Sequence, residues 1–205
     1  MSRQSDSISP RGVLAAAWAE AEWHPELLSS EPWSRGAADV GAFLERADAS
    51  IGTPWPVPLL TDYARYPRDG DRSSYEGAVF ARVDRVATAA TAAIVTRLPR
   101  YLDETADGLQ LLCEQSTWCW PAHDDVFART GGVVADPAHP YLDLGAGEVA
   151  SLFAWVRFAL GDSLDARFPG LGDRMRAEVD RRVLRPFTER RDWHWLGLDG
   201  HLHNW

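Results

Sequence analysis

Apolar residues recur at intervals of three and four along most of this chain, and prolines and glycines cut the pattern into segments. Residues 10–22 predict a first helix: Pro10 suits a first turn, Val13, Leu14, Ala17, Trp18 and Ala21 share a face, and Pro25 stops it. Residues 36–48 predict a second, with Val40, Phe43, Leu44 and Ala47 as its stripe. The segment "GTPWPVPLL" then places three prolines in five residues. Proline lacks an N–H and clashes in a helix interior, so this is an extended connector. A long helix is predicted over 73–98, opened by serine caps ahead of Glu76. Its stripe is Val79, Val83, Val86, Ala90 and Ile94, and Pro99 ends it.

Further helices are predicted over 101–116, 141–161 and 171–190. The 141–161 helix directs Leu144, Val149, Leu152, Trp155, Val156 and Ala159 inward, with Gly161 as its stop. The last carries Met175, Val179, Val183 and Leu184, and Pro186 kinks it or ends it early. Between 116 and 141 runs a long loop, a length that is uncommon without a function. Strand alternation is missing; Val133 and Val134 make too short a run. There is no βαβ rhythm, no G-x-G-x-x-G, no P-loop and no G-x-S-x-G. The expected class is all-α, built of antiparallel helix hairpins.

Composition narrows the function more than the fold. The 205 residues suit one domain and are 45% apolar, enough for a real core. Net charge is −9, every one of the 21 cations is arginine, and no basic stripe forms, which argues against nucleic acid. No signal-like segment opens the chain, and no run approaches the roughly 18 apolar residues that span a bilayer, so a soluble, cytoplasmic protein without membrane contact is expected. Cys113 and Cys119 lack a second pair for a zinc tetrad and are expected as buried thiols. Ten tryptophans are the unusual feature. Indole joins an apolar face to an N–H donor, a combination that suits sugar binding as well as a core.

Candidate chemistry gathers in two clusters. One is Glu114, Gln115, Ser116, Thr117, Trp118, Trp120, Pro121, His123, Asp124 and Asp125; the other is Trp193, His194, Trp195, Asp199, His201, His203, Asn204 and Trp205. "HDD" at 123–125 echoes the His-Asp metal pair of helical phosphohydrolases, but the pair sits in a loop without the other ligands. The alternative is that an Asp caps a turn while His123 bonds backbone. The tail histidines lack a defensible third and fourth ligand, so neither metal nor cofactor is expected.

The segments "CEQSTWCWPAHDD", "YLDLGAGEVASLFAWVRFALGDSL" and "RRVLRPFTERRDWHWLGLDGHLHNW" resemble the N-terminal half of the heparinase II/III-like polysaccharide lyases. The likeness covers about residues 75–205. It implies an incomplete (α/α) toroid over 73–205, preceded by N-terminal helices and the connector over 1–72. It implies β-elimination on a uronate-containing acidic polysaccharide or oligosaccharide. Asn204 is then the carboxylate neutraliser with His203 beside it as the catalytic pair. His123, Glu114, Trp118, Trp120, Trp193, Trp195, His201 and Trp205 are substrate contacts. Arg182, Arg185, Arg190 and Arg191 are local counter-charges. The family's catalytic tyrosine, the rest of the toroid and the β-sandwich are expected beyond Trp205, so the isolated chain is expected to be inactive. Two other readings are a non-catalytic helical module that binds glycan or a partner, and a helical-toroid glycoside hydrolase using Glu114 with Asp124 or Asp125.

Overall fold

The structure, a computed structural model, describes residues 37–196, and within these every regular element is helical. The predicted helix over 10–22 lies outside the described residues. The first described helix, α1, is Ala37–Ser50. Two short helices follow the proline-rich connector, α2 at Leu60–Tyr63 and α3 at Arg65–Asp69. The long helix α4 spans Ser73–Thr96 and α5 spans Pro99–Glu114. A single turn of helix, α6 at Val126–Thr130, interrupts the long loop. Then come α7 at Leu144–Arg167 and α8 at Leu171–Val179, which passes through a wide π turn at Asp180–Leu184 into α9 at Arg185–Glu189.

The ends of these helices follow from local chemistry. α4 begins on Asp71, not on a serine: Oδ1 accepts from the backbone N of Ser73 at 2.8 Å, and Oδ2 accepts from the Ser74 hydroxyl at 2.7 Å. The carboxylate has two oxygens where a serine has one, and takes both jobs. α4 ends with Arg97 in the left-handed region (φ 58°), its N–H bonded to the carbonyl of Ala93. Pro99 then opens α5 rather than merely ending α4, since a first-turn proline gives up an N–H that has no partner there anyway. Pro186 cannot donate to a carbonyl four residues back, and the π turn immediately before it accommodates that loss.

α4 and α5, joined by two residues, pack along each other, and α7 lies against both, with α8 on α5 and α7. Gly108 permits the close approach: a Cβ there would fall 2.3 Å from Val86 Cγ2 and 2.6 Å from the Trp55 ring. Val86, Leu109, Leu112, Trp118, Phe153, Leu160 and Leu164 are buried in one core with Ala47 of α1. Burying each large side chain contributes about 1.5–3 kcal/mol. The connector is fastened by arginines: Arg82 donates to the carbonyl of Pro56, and Arg85 to those of Ser50, Thr53 and Pro54 while lying over the Trp55 ring. Prolines leave carbonyls without neighbouring N–H groups, and guanidinium forks fill the gap. Arg85 also pairs with the buried Glu104.

α7 departs most from expectation. It runs through Gly161 to Arg167, and Gly161 is buried beneath the Arg157 guanidinium rather than ending the helix. Val149 and Val156 do face the core, joined by Phe153, Leu160 and Leu164, but Leu144 is 47% exposed and Trp155 69% exposed. The helix is apolar nearly all round, so periodicity does not single out its buried face. For the same reason it is long and apolar enough, by length and composition alone, to cross a bilayer, although its Ala146–Leu164 stripe is packed inside the protein.

Candidate functional site: a His–Asp pair beside an aromatic groove

Asp143 organises the site. As N-cap of α7 it accepts the backbone N–H of Ala146 on Oδ1 at 3.0 Å. Its Oδ2 accepts the backbone N–H of Trp120 at 3.0 Å and faces His123 Nδ1 at 2.8 Å. The side chain has no exposure, whereas that of His123 is 19% exposed. A carboxylate oxygen accepts, so Nδ1 is the donor in this pair. A buried carboxylate orienting a partly exposed imidazole is a workable general acid–base unit. The Trp120 ring lies 5.4 Å from the imidazole and meets Phe80 of α4 edge-on at 5.4 Å. Trp120 seats over Gly145, where a Cβ would come within 2.4 Å of its Nε1 and 2.7 Å of the Trp118 carbonyl.

Beside this pair runs a groove of about 690 Å³ between α4 and the first turns of α7. Val83, Leu144, Gly147, Glu148, Ser151 and Trp195 line it together with Asp143. Trp195 is fixed by its Nε1 donating to the carbonyl of Leu142 at 3.0 Å. Positions 144, 148, 151 and 155 form one stripe of α7, so the groove side of that helix continues to the exposed Trp155. On α4 the matching stripe is Glu76, Phe80 and Val83. Glu76 is only 6% exposed, and its Oε1 has no hydrogen-bond partner among the described residues. Its Oε2 lies 3.6 Å from Nε of the half-exposed Arg72. Burial pushes the Glu76 carboxyl above its ordinary range; Arg72 and His123 pull it back, and Asp143 adds to the rise.

The candidate residues from the sequence separate into four groups. Trp195 lines the groove, while Trp120 and His123 stand beside it, joined to it through Asp143. Trp118 and Trp193 do not offer stacking faces: each is 2% exposed. Trp118 donates to the carbonyl of Leu112 and sits under Arg182, and Trp193 packs on Tyr141 and Trp195 under Arg190. Glu114 is exposed at the end of α5, bonded by Gln110 at 2.7 Å. Asn204, His203, His201 and Trp205 lie outside the described residues.

The expectation for "HDD" is half met. Asp124 Oδ1 does cap the turn into α6 through the N–H of Val126, and Oδ2 accepts from the Tyr63 hydroxyl at 2.5 Å. His123 Nδ1 pairs with the Asp143 carboxylate. The four arginines offered as counter-charges are otherwise engaged: Arg182 on Glu178 and the Cys113 carbonyl, Arg185 on Asp180, Arg190 on Asp192, and Arg191 on the Phe187 carbonyl. Among the described residues, no cluster of three His, Cys, Asp or Glu side chains has the geometry to hold a metal. Cys113 and Cys119 are buried and unpaired. Burial, aided by Glu178, pushes the Cys113 thiol up to about 11, so both thiols are packing groups rather than nucleophiles.

Sequence reasoning missed Asp143, Glu76 and Phe80. Asp143 carried a usable signal, an Asp immediately before an apolar helix, which is an N-cap signature. Glu76 and Phe80 carried none, since only the packing of α4 beside the 116–125 loop buries Glu76 and sets the exposed Phe80 against Trp120. No family model matches this chain, and no curated protein matches it.

Proposed function

We propose that this chain is the N-terminal helical part of a polysaccharide lyase that cleaves uronate-containing glycans by β-elimination, its helices forming part of an (α/α) toroid of antiparallel hairpins. The observation that carries the proposal is the Asp143–His123 pair at the edge of the groove. β-Elimination needs a base for the C5 proton of the uronate, an acid for the leaving oxygen, and a donor for the enolate-like charge. His123 supplies a positioned nitrogen for proton transfer. Trp120, Trp195 and Trp155 supply indole surface for sugar C–H faces. The motifs "STWCWPAHDD" and "LDLGAGE", on which the family likeness rests, contain His123 and Asp143, two residues 20 apart in sequence that meet at 2.8 Å.

Asn204 and His203 remain the proposed carboxylate-neutralising pair, and catalysis is completed by a further half-toroid and β-sandwich. The test is ultraviolet absorbance of the unsaturated uronate released from alginate and heparin. The 205-residue chain alone is expected to give none. A chain that includes those further parts is expected to turn over, with His123→Gln lowering kcat by about 100-fold or more. Robust turnover by the 205-residue chain contradicts the proposed division of labour. Full activity of His123→Gln in the longer chain removes His123 from the chemistry.

Trp155 favours a second reading, a glycan-binding module without catalysis, because an indole 69% exposed on the groove stripe suits stacking alone. Binding without turnover in the longer chain supports it. The glycoside hydrolase reading has less support, since Asp124 spends both carboxylate oxygens on Val126 and Tyr63.

A further inference from the structure

Glu76 is a buried carboxylate with one oxygen, Oε1, that no group among the described residues satisfies. Leaving such a group unpaired is costly, and native proteins keep few of them. Its surroundings are not a generic core. Phe80, one turn further along α4, touches Trp120, and Trp120 touches His123. The Glu76 stripe of α4 therefore faces the loop that carries the imidazole. The ionisable groups that act on the Glu76 carboxyl are Arg72 on its own helix, His123 on the loop, and Asp143 at the start of α7. Arg72 is 54% exposed and stands 3.6 Å away, too distant for a hydrogen bond and well screened by solvent.

We propose that Glu76 is a positioning residue for His123, the second of two carboxylates that stabilise the imidazolium form. This deepens the reading of His123 as the proton-transfer group and rests on it. Asp143 fixes which ring nitrogen works, and Glu76 supports the charge that the ring acquires. During β-elimination the C5 proton passes to His123 Nε2 as the electron pair moves into the new double bond. The leaving oxygen takes its proton from the tyrosine proposed for the further half-toroid, and the imidazolium stays on the Asp143 carboxylate, within the field of Glu76, until it returns its proton to solvent. An unpaired acceptor is the expected state of Glu76 while the ring is neutral, because its electrostatic partner is the charge that appears during turnover.

The experiment is an NMR titration of the His123 ring nitrogens in the 205-residue chain, without substrate. Glu76→Gln keeps the size and removes the charge, and the His123 titration midpoint is expected to fall by about one pH unit. Glu76→Asp, which keeps the charge, is expected to retain most of the wild-type midpoint. Equal midpoints in wild type and Glu76→Gln overturn the proposal. Should Glu76→Gln fail to fold, His123→Gln provides the reciprocal reading: the Glu76 carboxyl midpoint must rise once the positive partner is gone, and an unchanged midpoint overturns the proposal. A merely structural Glu76 would move neither. The titration also separates the two levels of the argument. A shifted midpoint in a protein whose longer form turns over no glycan removes the lyase reading alone. Turnover with an unshifted midpoint removes only the role of Glu76.

Discussion

Replacing Asp143 by alanine removes three interactions at once, and the structure gives their sizes. The cap on α7, the bond from Ala146 N–H at 3.0 Å, is worth about 0.5–2 kcal/mol. The Trp120 N–H at 3.0 Å loses its acceptor inside a largely dry loop, at about 1–3 kcal/mol. His123 Nδ1 loses a partner at 2.8 Å but is partly wet, so water recovers some of that loss. The three share one carboxylate and do not add fully, so the expected total is about 3–4 kcal/mol, in the range for breaking a buried charged network. Asparagine behaves differently. Its carbonyl still caps Ala146, and its NH₂ turns toward His123, which accepts by changing tautomer; only the Trp120 N–H is orphaned. Asp143→Asn should therefore cost about 1–2 kcal/mol. Urea unfolding at neutral pH measures both, with a Tm fall of about 6–12 °C for alanine as the thermal counterpart. An alanine cost below about 1 kcal/mol, or equal costs for both variants, refutes the assignment of Asp143 as the shared acceptor.

Two further outcomes follow from the same packing and electrostatics. Gly145→Ala places a Cβ within 2.7 Å of the Trp118 backbone carbonyl, which cannot swing aside; a loss of about 1–3 kcal/mol with altered tryptophan fluorescence is expected, and a neutral result means the loop does not sit on α7. Burial raises the Glu178 carboxyl, but hydrogen bonds from Arg182 and Arg181 outweigh it and hold the group below its usual range. A depressed folded-state pKa contributes stability that is present above about pH 4.3 and lost as pH falls through the folded value. Denaturation midpoints of Glu178→Gln should accordingly be lower at neutral pH and flatter on the acid side, and parallel acid limbs in both proteins contradict this.

The long helices were legible because alanine-rich stretches with apolar residues at three and four leave few alternatives, and prolines mark their limits. α4 is the clearest case, predicted over 73–98 and found at Ser73–Thr96. α7 was legible as a helix but not in its orientation. With apolar residues on every side, the placement of Trp155 inward was decided by a periodicity the segment does not strongly possess. The site was less legible for a different reason. Trp118, Trp120, Trp193 and Trp195 look alike in sequence, and only tertiary contacts separate the two core indoles from Trp195 at the groove and Trp120 against His123. Asp143 and His123 lie 20 positions apart, one at a helix cap and one in a loop, and neither local pattern indicates the other. The resemblance joined the two motifs as neighbours in order; the 2.8 Å contact joins them as one chemical unit.

The central proposal is that His123, held by Asp143 beside the groove that Trp195 lines, meets a uronate glycan. It is tested most directly by titrating the 205-residue chain with a defined oligouronate while following the imidazole and indole NMR signals. The account predicts saturable shifts at His123, Trp120 and Trp195, smaller shifts at the buried Trp118 and Trp193, and loss of the His123 response in Asp143→Ala wherever that variant remains folded. Signals that stay unmoved, or that move only away from the groove, contradict it.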